Sequence, residues 1–330
     1  MQKILKFRNP VCIFETASCV GAEEYRGPLG EKFDFHDDSD KFGAKTWEMA
    51  EMELGRASLA LAFSKAKMSE KDFDVLFAGD LQNQCVALSG GLSSFGIPFV
   101  GLYGACSTLG EGLTCAALAL NASEDVQRIA VVTTSHNCAA ERQFRLPIEY
   151  GGQRPQTAQW TATAGGAFLL AREGFAGITE VMVGKITDGV ISDANNMGAA
   201  MAPAAAQTIS SYFALTKEKP SDFDAIVTGD LAREGSEILY DLLSEKSITL
   251  SNHYDCGKML YDYEKQDVHS GGSGCGCSAA VFSAHFLPEI KAKRIKKMLL
   301  VPTGALMSPS SVLQGNSILG IAPLVRIEAV

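Results

Sequence analysis

The sequence predicts a layered α/β protein composed of two related halves. Three observations support this prediction: an ordinary globular composition, short apolar runs typical of buried parallel strands, and an internal repeat. Of the 330 residues, 46% are hydrophobic and 20% are charged, which suffices for one large core or two fused smaller ones. We place the halves at residues 1–175 and 176–330, each of the βαβαβ type.

One ten-residue segment occurs twice. DFDVLFAGDL at residues 72–81 returns as DFDAIVTGDL at residues 222–231, with six identical positions and an offset of 222 − 72 = 150. Each copy holds a short apolar run ending in Gly-Asp, as a buried parallel strand does. One supersecondary unit used twice predicts two halves that share an interface.

The repeat extends loosely beyond these ten residues. Cys106 and Cys256 lie at the same offset of 150. The further matches pair an apolar strand at 97–102 with 248–250, a strand at 129–133 with 298–301, and TATAGGAFLLA at 161–171 with GGSGCGCSAAVFSA at 271–284.

Charge and cysteine content restrict the function classes. The net charge of −9 disfavours non-specific binding to nucleic acid or to an anionic membrane. Nine cysteines, an odd number without regular spacing, are typical of a reducing compartment. The N-terminus has no apolar signal-peptide core, and the uncharged stretch 298–325 is interrupted by prolines. We therefore expect an intracellular protein without a transmembrane span.

Cys106 is the first candidate site residue. An apolar strand, the turn Gly104-Ala105-Cys106 and an amphipathic helix with apolar positions from Leu109 to Leu120 follow one another. Thr108 and Glu111 predict a capping box at the helix start. A thiol at a helix N-terminus is expected to have a lowered pKa, in a place that favours anions. The alternative is a small buried hydrophobic residue.

Three arginines form the second candidate group. Arg142, Arg145 and Arg154 lie in the segment 136–159, which shows no helical or strand period. Long irregular segments inside a compact domain are usually functional or pack on a partner subunit. Guanidinium groups pair bidentately with carboxylates, so the arginines suit a planar dicarboxylate ligand. The alternative is a solvated, variable loop.

Two aspartates and two histidines complete the candidate set. Asp80 and Asp230 end the repeated strands, where α/β folds place ligands, although both can instead be helix caps. His136 is a further candidate, and His253 lines the pocket or is structural. A zinc site of His253, Cys256, Cys275 and Cys277 has irregular spacing, and we expect no metal.

The motifs resemble a known family. IPFVGLYGACSTLGEGL, the two-fold repeat and TATAGGAFLLA together resemble the thiolase superfamily, especially the priming ketoacyl synthases. AERQFRLPIEYGGQRPQTAQWT at residues 140–161 resembles the stage V sporulation protein AD family, over essentially the whole chain. The resemblance implies a thiolase-like fold, pairing into a homodimer, a role in spore formation and binding of dipicolinic acid (pyridine-2,6-dicarboxylate). It also implies work beside membrane proteins of the same operon, peripherally at the spore inner membrane.

The departures from the enzyme pattern concern the partners of the cysteine. Priming synthases carry a histidine in a V-P-H-Q-A-N-like string, and Gly229 stands in its place here. Their asparagine lies in a G-N-T-S-A-like turn, which here reads Gly272-Ser273-Gly274. Without a base or an oxyanion donor, a thiol does not run a Claisen condensation. We expect a non-catalytic binding protein without a cofactor. The alternative is an acyltransferase that acylates Cys106 and takes its base from His136 or His253.

Overall fold

A computed structural model describes residues 2–145 and 153–330, with the side chain of Arg145 excluded. The described residues form a mixed α/β structure of sixteen strands and eleven α-helices. The strands are β1 Ile4–Gly21, β2 Phe35–Asp37, β3 Val75–Gly79, β4 Phe99–Gly101, β5 Ile129–Ser135, β6 Gln159–Thr161, β7 Ala164–Ala171, β8 Ala176–Met182, β9 Thr187–Asp188, β10 Ala225–Thr228, β11 His253–Asp255, β12 Gly271–Ser273, β13 Lys297–Val301, β14 Gly304–Leu306, β15 Leu319–Ile321 and β16 Leu324–Ala329.

The helices alternate with the strands along most of the chain. They are α1 Ala22–Tyr25, α2 Trp47–Ala66, α3 Val86–Leu92, α4 Thr108–Ala122, α5 Asn137–Arg145, α6 Met197–Thr216, α7 Ala232–Ser244, α8 Cys256–Met259, α9 Cys275–Val281, α10 Leu287–Lys291 and α11 Pro309–Leu313. A π-helical segment, Phe282–Phe286, joins α9 to α10.

The main sheet has a mirrored strand order. It runs β11-β10-β13-β16-β8-β1-β7-β5-β3-β4, with β2 added beside β1. In the first half, β3 is parallel to β4 and β5, while β7 is antiparallel to β5 and β1. In the second half, β10 is parallel to β11 and β13, and β16 is antiparallel to β13 and β8. The halves meet where β1 pairs with β8.

Alternate residues of the strands face different cores. In β5, Ile129 and Val131 join a central core with the helices α4 and α9. Ala130 and Val132 of the same strand face an outer core formed with α2. A second outer core covers the other half of the sheet with α6 and α7. Strands buried on both faces explain the continuous apolar runs of the sequence.

The predicted repeat is present in the structure. Helix α2 and helix α6 have the same length and lie at the offset of 150, since 197 − 47 = 150. Strands β3 and β10 hold the repeated segments. Strand β3 pairs with β5, and β10 pairs in the same way with β13.

Three sequence matches or assignments are wrong. The second-half edge strand is β11 rather than residues 248–250, which form no strand. Strand β7 corresponds by sheet position to β16, while residues 271–284 form β12, α9 and part of the π-helix. The segment 136–159, for which we predicted no helix, contains the nine-residue helix α5, whose sequence is rich in charged and polar residues. Residues 146–152 of that segment lie outside the described part of the chain.

Among the residues that the structure describes, we find no helix with the length and hydropathy required to span a bilayer.

Candidate functional site

Cys106 lies in a tight turn between β4 and the buried helix α4. Ala105, just before it, has a left-handed backbone with φ of +51°, which is uncommon for a residue with a side chain. The Ser107 hydroxyl donates to the Gly104 carbonyl at 2.7 Å, and the Thr108 hydroxyl donates to the Ala105 carbonyl at 2.7 Å. These bonds hold the turn that presents Cys106.

The predicted capping box is wrong. The helix N-cap is Ser107, which makes no side-chain capping bond. Thr108 is the first helical residue and folds back on the turn, where its hydroxyl accepts from the Gly104 N–H at 3.1 Å. The apolar face from Leu109 to Leu120 is buried as predicted.

A carboxylate and two hydroxyls occupy the surroundings of the thiol. The Cys106 sulfur lies 3.8 Å from the Ser273 hydroxyl. Asp230, which is fully buried, accepts from that hydroxyl at 3.1 Å, from the Gly274 N–H at 2.9 Å and from the Thr303 hydroxyl at 2.8 Å. The chain thus places an acceptor-only group beside the thiol, one residue after Gly229.

Burial determines the protonation of this cluster. Desolvation raises the pKa of the Cys106 thiol well above its ordinary value of 9.0, and the Asp230 carboxylate raises it further. The predicted lowering by the helix N-terminus is therefore wrong. Desolvation also raises the pKa of Asp230, to about 6. Moving a proton from the thiol to Asp230 is therefore unfavourable.

The pocket at Cys106 is narrow and mostly apolar. The open space in it is about 30 Å³, room for a water molecule or two. Its walls are Leu81, Tyr103, Ala105, Ala140, Glu141, Phe144, Thr161, Met197, Ser273, Ala305 and Met307. Neither a cation nor an imidazole is among these described lining residues.

The structure separates Asp80 from Cys106. Asp80 accepts from the N–H groups of Gln82 and Leu88 at 2.8 and 2.9 Å. Glu51 is a buried neighbour of Asp80. Desolvation and, to a smaller extent, the negative charge of Asp80 raise the pKa of Glu51 to about 8. Desolvation raises the pKa of Asp80 to about 6. This pair of buried carboxyl groups lies inside the first half of the protein.

The two candidate histidines also lie apart from the thiol. The Nε2 atom of His136 is 2.7 Å from the Asp40 carbonyl oxygen. His253 lies between the Tyr240 hydroxyl at 2.8 Å and the Thr228 hydroxyl at 2.9 Å. Desolvation lowers the pKa of both imidazoles, to about 4 for His253. Neither lines the Cys106 pocket, so neither is placed to act as its base.

Two of the three arginines share a different cleft. Arg142 pairs with Glu48 at 2.8 Å, and Arg154 pairs with Asp267 at 3.1 Å. Both line a cleft beside α5, and Cys106 is not among the residues that line this cleft. The side chain of Arg145 lies outside the described part of the structure. Of the predicted site residues, the structure thus places Asp230 beside Cys106, whereas Asp80, the two histidines and the two described arginine side chains do not line the Cys106 pocket.

The four residues of the zinc pattern, which we did not expect to bind a metal, do not assemble into a site. His253 is engaged by two hydroxyls, and the Cys275 thiol donates to the Thr134 carbonyl at 2.9 Å. Across residues 2–145 and 153–330, no group of three or more metal-ligating side chains is close enough to hold an ion.

Sequence reasoning missed several residues of the site. In the sequence, Ser273 drew attention only because it stands where the enzymes carry asparagine, but its hydroxyl lies 3.8 Å from the Cys106 sulfur. Thr303 follows β13 and carries no sequence motif, yet it binds Asp230. Trp47 and Trp160 line the arginine-bearing cleft. Aromatic residues at a helix start and on a short strand gave no indication of this role.

This architecture is a thiolase-like fold. Similar solved structures include OleA of Xanthomonas campestris, with a TM-score of 0.61 at 14% identity over 97% of this chain and 98% of that one. The tetronic acid condensing enzyme AbyA1 has a TM-score of 0.57 at 14% identity, over 96% and 99% of the two chains. These likenesses confirm the predicted fold.

Sequence similarity to a family model and to one relative shows the family to which the chain belongs. The family model described as "Stage V sporulation protein AD" matches residues 1–328. Stage V sporulation protein AD of Bacillus subtilis (strain 168) is 40% identical over 324 residues, which covers 98% of this chain and 95% of that protein. The chain belongs to the stage V sporulation protein AD family, as the resemblance of its motifs predicted.

Proposed function

We propose that this sporulation protein is a non-catalytic binding protein for dipicolinic acid. The observation that carries the non-catalytic part is that the Cys106 thiol lies against the buried Asp230 carboxylate, while no histidine is among the described residues that line its pocket. A thiol kept protonated at the pH of the cell is a poor nucleophile. Family membership supports the role in spore formation.

The Asp230 carboxylate beside Cys106 also opposes the formation of an oxyanion there. Asp230 is ionised at pH 7, because its pKa is about 6, and an ionised carboxylate only accepts hydrogen bonds. The Ser273 hydroxyl already donates to it. A developing negative charge on an acyl oxygen would meet a negative charge, which opposes the condensation step.

The ligand assignment extends the family resemblance to this chain. Dipicolinate is a planar dianion, and arginine forks suit its carboxylates. We propose that it is bound with or without calcium, and that the protein acts beside membrane proteins of the same operon, peripherally at the spore inner membrane. Uptake of dipicolinate into the developing spore is the process that this binding serves.

We further propose that the protein forms a homodimer through β4. This edge strand exposes Phe99 and Val100, which are 39% and 43% exposed, and Tyr103 next to it is 43% exposed. The segment 96–104 contains no charged residue. Charged residues on an edge strand normally prevent it from pairing with another chain. Because this segment has none, we expect β4 to pair with a second copy of the protein.

Two measurements test the proposal. Calorimetric titration with dipicolinate, with and without calcium, should give saturable binding. Incubation with acyl-CoA followed by intact-mass analysis should leave Cys106 unmodified. The apolar pocket walls favour the alternative of an acyltransferase, because they suit an acyl chain. A stable adduct that is absent from Cys106→Ala would establish that alternative and overturn the non-catalytic assignment.

A further inference from the structure

Exposed aliphatic side chains are grouped beside the small sheet formed by β14, β15 and β9. Val190, just after β9, is 83% exposed, and Leu313, at the end of α11, is 87% exposed. Val183 and Ile186, which precede β9, are 56% and 54% exposed. We call these four residues the tip surface. Grouped apolar side chains on the outside of a protein usually mark a place that binds a partner or a membrane.

Hydrogen bonds join the two segments that carry the tip surface. The Asp188 carboxylate accepts from the Val190 N–H at 2.8 Å and from the Ser317 hydroxyl at 2.8 Å. The Ile318 N–H donates to the Ile191 carbonyl at 2.6 Å, and β9 pairs with β15 beside it. The chain after α11 therefore lies against the loop after β9, which places the two most exposed tips on neighbouring loops.

The backbone of Val190 is strained. Its φ is +58°, in the left-handed region that a β-branched residue rarely adopts. The hydrogen bond from its N–H to Asp188 helps to fix this conformation. The strain costs free energy and leaves an apolar side chain in water, so the stability of the isolated chain does not explain it. Strained residues of this kind cluster at functional sites.

The loops that carry the tips contain few charges. The segment 307–320 has none, and the segment 183–197 has Lys185, Asp188 and Asp193. One lysine and two aspartates sum to −1, so no excess of positive charge is present to attract anionic lipid headgroups. Attraction to a partner therefore has to come from the aliphatic side chains.

The chemistry of the tips favours a lipid surface over a protein partner. Protein interfaces are enriched in aromatic residues, methionine and arginine, and valine and leucine are under-represented among the residues that dominate binding. The four tips are valine, isoleucine and leucine. A side chain that is more than 80% exposed stands clear of its surroundings, so a rigid partner would need a fitted pocket for it. The fluid boundary of a bilayer accepts such a side chain without one.

We propose that the tip surface docks the protein on a lipid bilayer by inserting its aliphatic side chains at the boundary between headgroups and acyl chains. This inference rests on the proposed peripheral position at the spore inner membrane and specifies the surface that makes the contact. The contact is apolar and reversible, because even a single covalently attached acyl chain gives only reversible membrane binding. The net charge of −9 opposes it at an anionic leaflet.

Co-sedimentation with protein-free vesicles tests this proposal. The full-length protein is mixed with vesicles of phosphatidylcholine, or of equal parts of phosphatidylcholine and phosphatidylglycerol, over a range of lipid concentrations. We expect saturable binding to phosphatidylcholine that does not change with salt. Binding to the mixed vesicles should be weaker at low salt and should rise with salt, because ions screen the repulsion between the anionic lipid and the protein. Binding that requires phosphatidylglycerol and falls with salt would refute an apolar contact.

Variants then locate the contact. Val190→Asn and Leu313→Ser should each weaken vesicle binding about tenfold, the effect of losing an inserted aliphatic side chain. Asparagine adopts the left-handed region more readily than valine, so Val190→Asn should unfold at no lower temperature than the unaltered protein. Leu215→Ser is the matched control, because Leu215 is 43% exposed near the end of α6 and outside the tip surface. Full vesicle binding by both tip variants would show that the contact lies elsewhere.

The remaining outcomes separate lipid from other partners and from the proposed function. If the unaltered protein binds neither kind of vesicle, the lipid contact is wrong and a membrane protein takes its place. A dimer that becomes a monomer in Leu313→Ser, measured by light scattering, would replace lipid by a second copy of the chain. Calorimetry with dipicolinate uses the same preparations. Dipicolinate binding without vesicle binding would overturn the tip surface alone, and vesicle binding without dipicolinate binding would overturn the ligand assignment alone.

Discussion

Replacing Glu24 by glutamine should stabilise the protein at neutral pH. Glu24 is fully buried where the two halves meet, and its Oε1 atom accepts from the Tyr261 hydroxyl at 2.5 Å and from the Thr163 N–H at 3.1 Å. Its Oε2 atom has no partner among the described residues. Desolvation and, to a smaller extent, the nearby Asp40 together raise the pKa of Glu24 to about 8, although the hydrogen bond from Tyr261 lowers it.

The magnitude follows from the pKa difference between the folded and unfolded states. Glu24 has an ordinary pKa of 4.5 and a folded pKa of about 8. Because Glu24 binds its proton more tightly in the folded state, its contribution to the free energy of unfolding is fully present below pH 4.5 and is lost as the pH rises through 8. At pH 7 the loss is about 3 kcal/mol, from 2.5 pH units at 1.36 kcal/mol each.

Glutamine keeps the two accepted hydrogen bonds and has no charge to lose. The free energy of unfolding of Glu24→Gln should therefore exceed that of the unaltered protein by about 1 kcal/mol at pH 5, about 3 at pH 7 and about 4 at pH 8. Urea unfolding at these three pH values measures the difference. Glu31→Gln, at an exposed acid, is the matched control and should give a difference near zero throughout. A difference for Glu24→Gln that stays constant with pH would refute the reasoning.

Three further predictions concern the thiol, the edge strand and the central core. Asp230→Asn removes the carboxylate that raises the thiol pKa, so iodoacetamide should label Cys106 faster at pH 8, measured by peptide mass; unchanged labelling would contradict this. Val100→Lys adds a charge to the exposed edge strand β4 and should convert a dimer into a monomer in light scattering; a variant that stays dimeric would place the interface elsewhere. Leu113→Ala empties a fully buried position in α4 and should lower the free energy of unfolding by about 2–5 kcal/mol; a loss below 1 kcal/mol would indicate a loosely packed core.

Local patterns made much of the fold predictable. The repeat at an offset of 150 predicted two halves, and helices α2 and α6 extend that repeat at the same offset. The apolar spacing from Leu109 to Leu120 predicted a buried helix, and the turn before it predicted the place of Cys106. These features depend on residues close together in the chain, or on two copies of one segment. Helix α5 was missed because it has only nine residues and its few apolar positions lie among polar and charged ones.

The composition of the site depended on contacts between distant segments. Ser273 is 167 residues from Cys106 in sequence, and Thr303 is 73 residues from Asp230. Arg142 is 94 residues from its partner Glu48, near Trp47. No spacing rule links such positions, so from the sequence we treated the candidates as one set. In the folded chain they lie in separate parts of the structure, such as the Cys106 pocket and the cleft beside α5.

The sequence by itself determined the two-fold α/β architecture, the family and the turn that presents Cys106. The tertiary structure decided the protonation of the thiol and the location of the arginines. A helix N-terminus is a local feature that lowers a thiol pKa, whereas desolvation depends on everything packed around the sulfur. Here burial and the Asp230 carboxylate outweigh the helix, and the thiol pKa rises. The reason is that transfer of a charge out of water changes its free energy more than the partial charge of one helix end does.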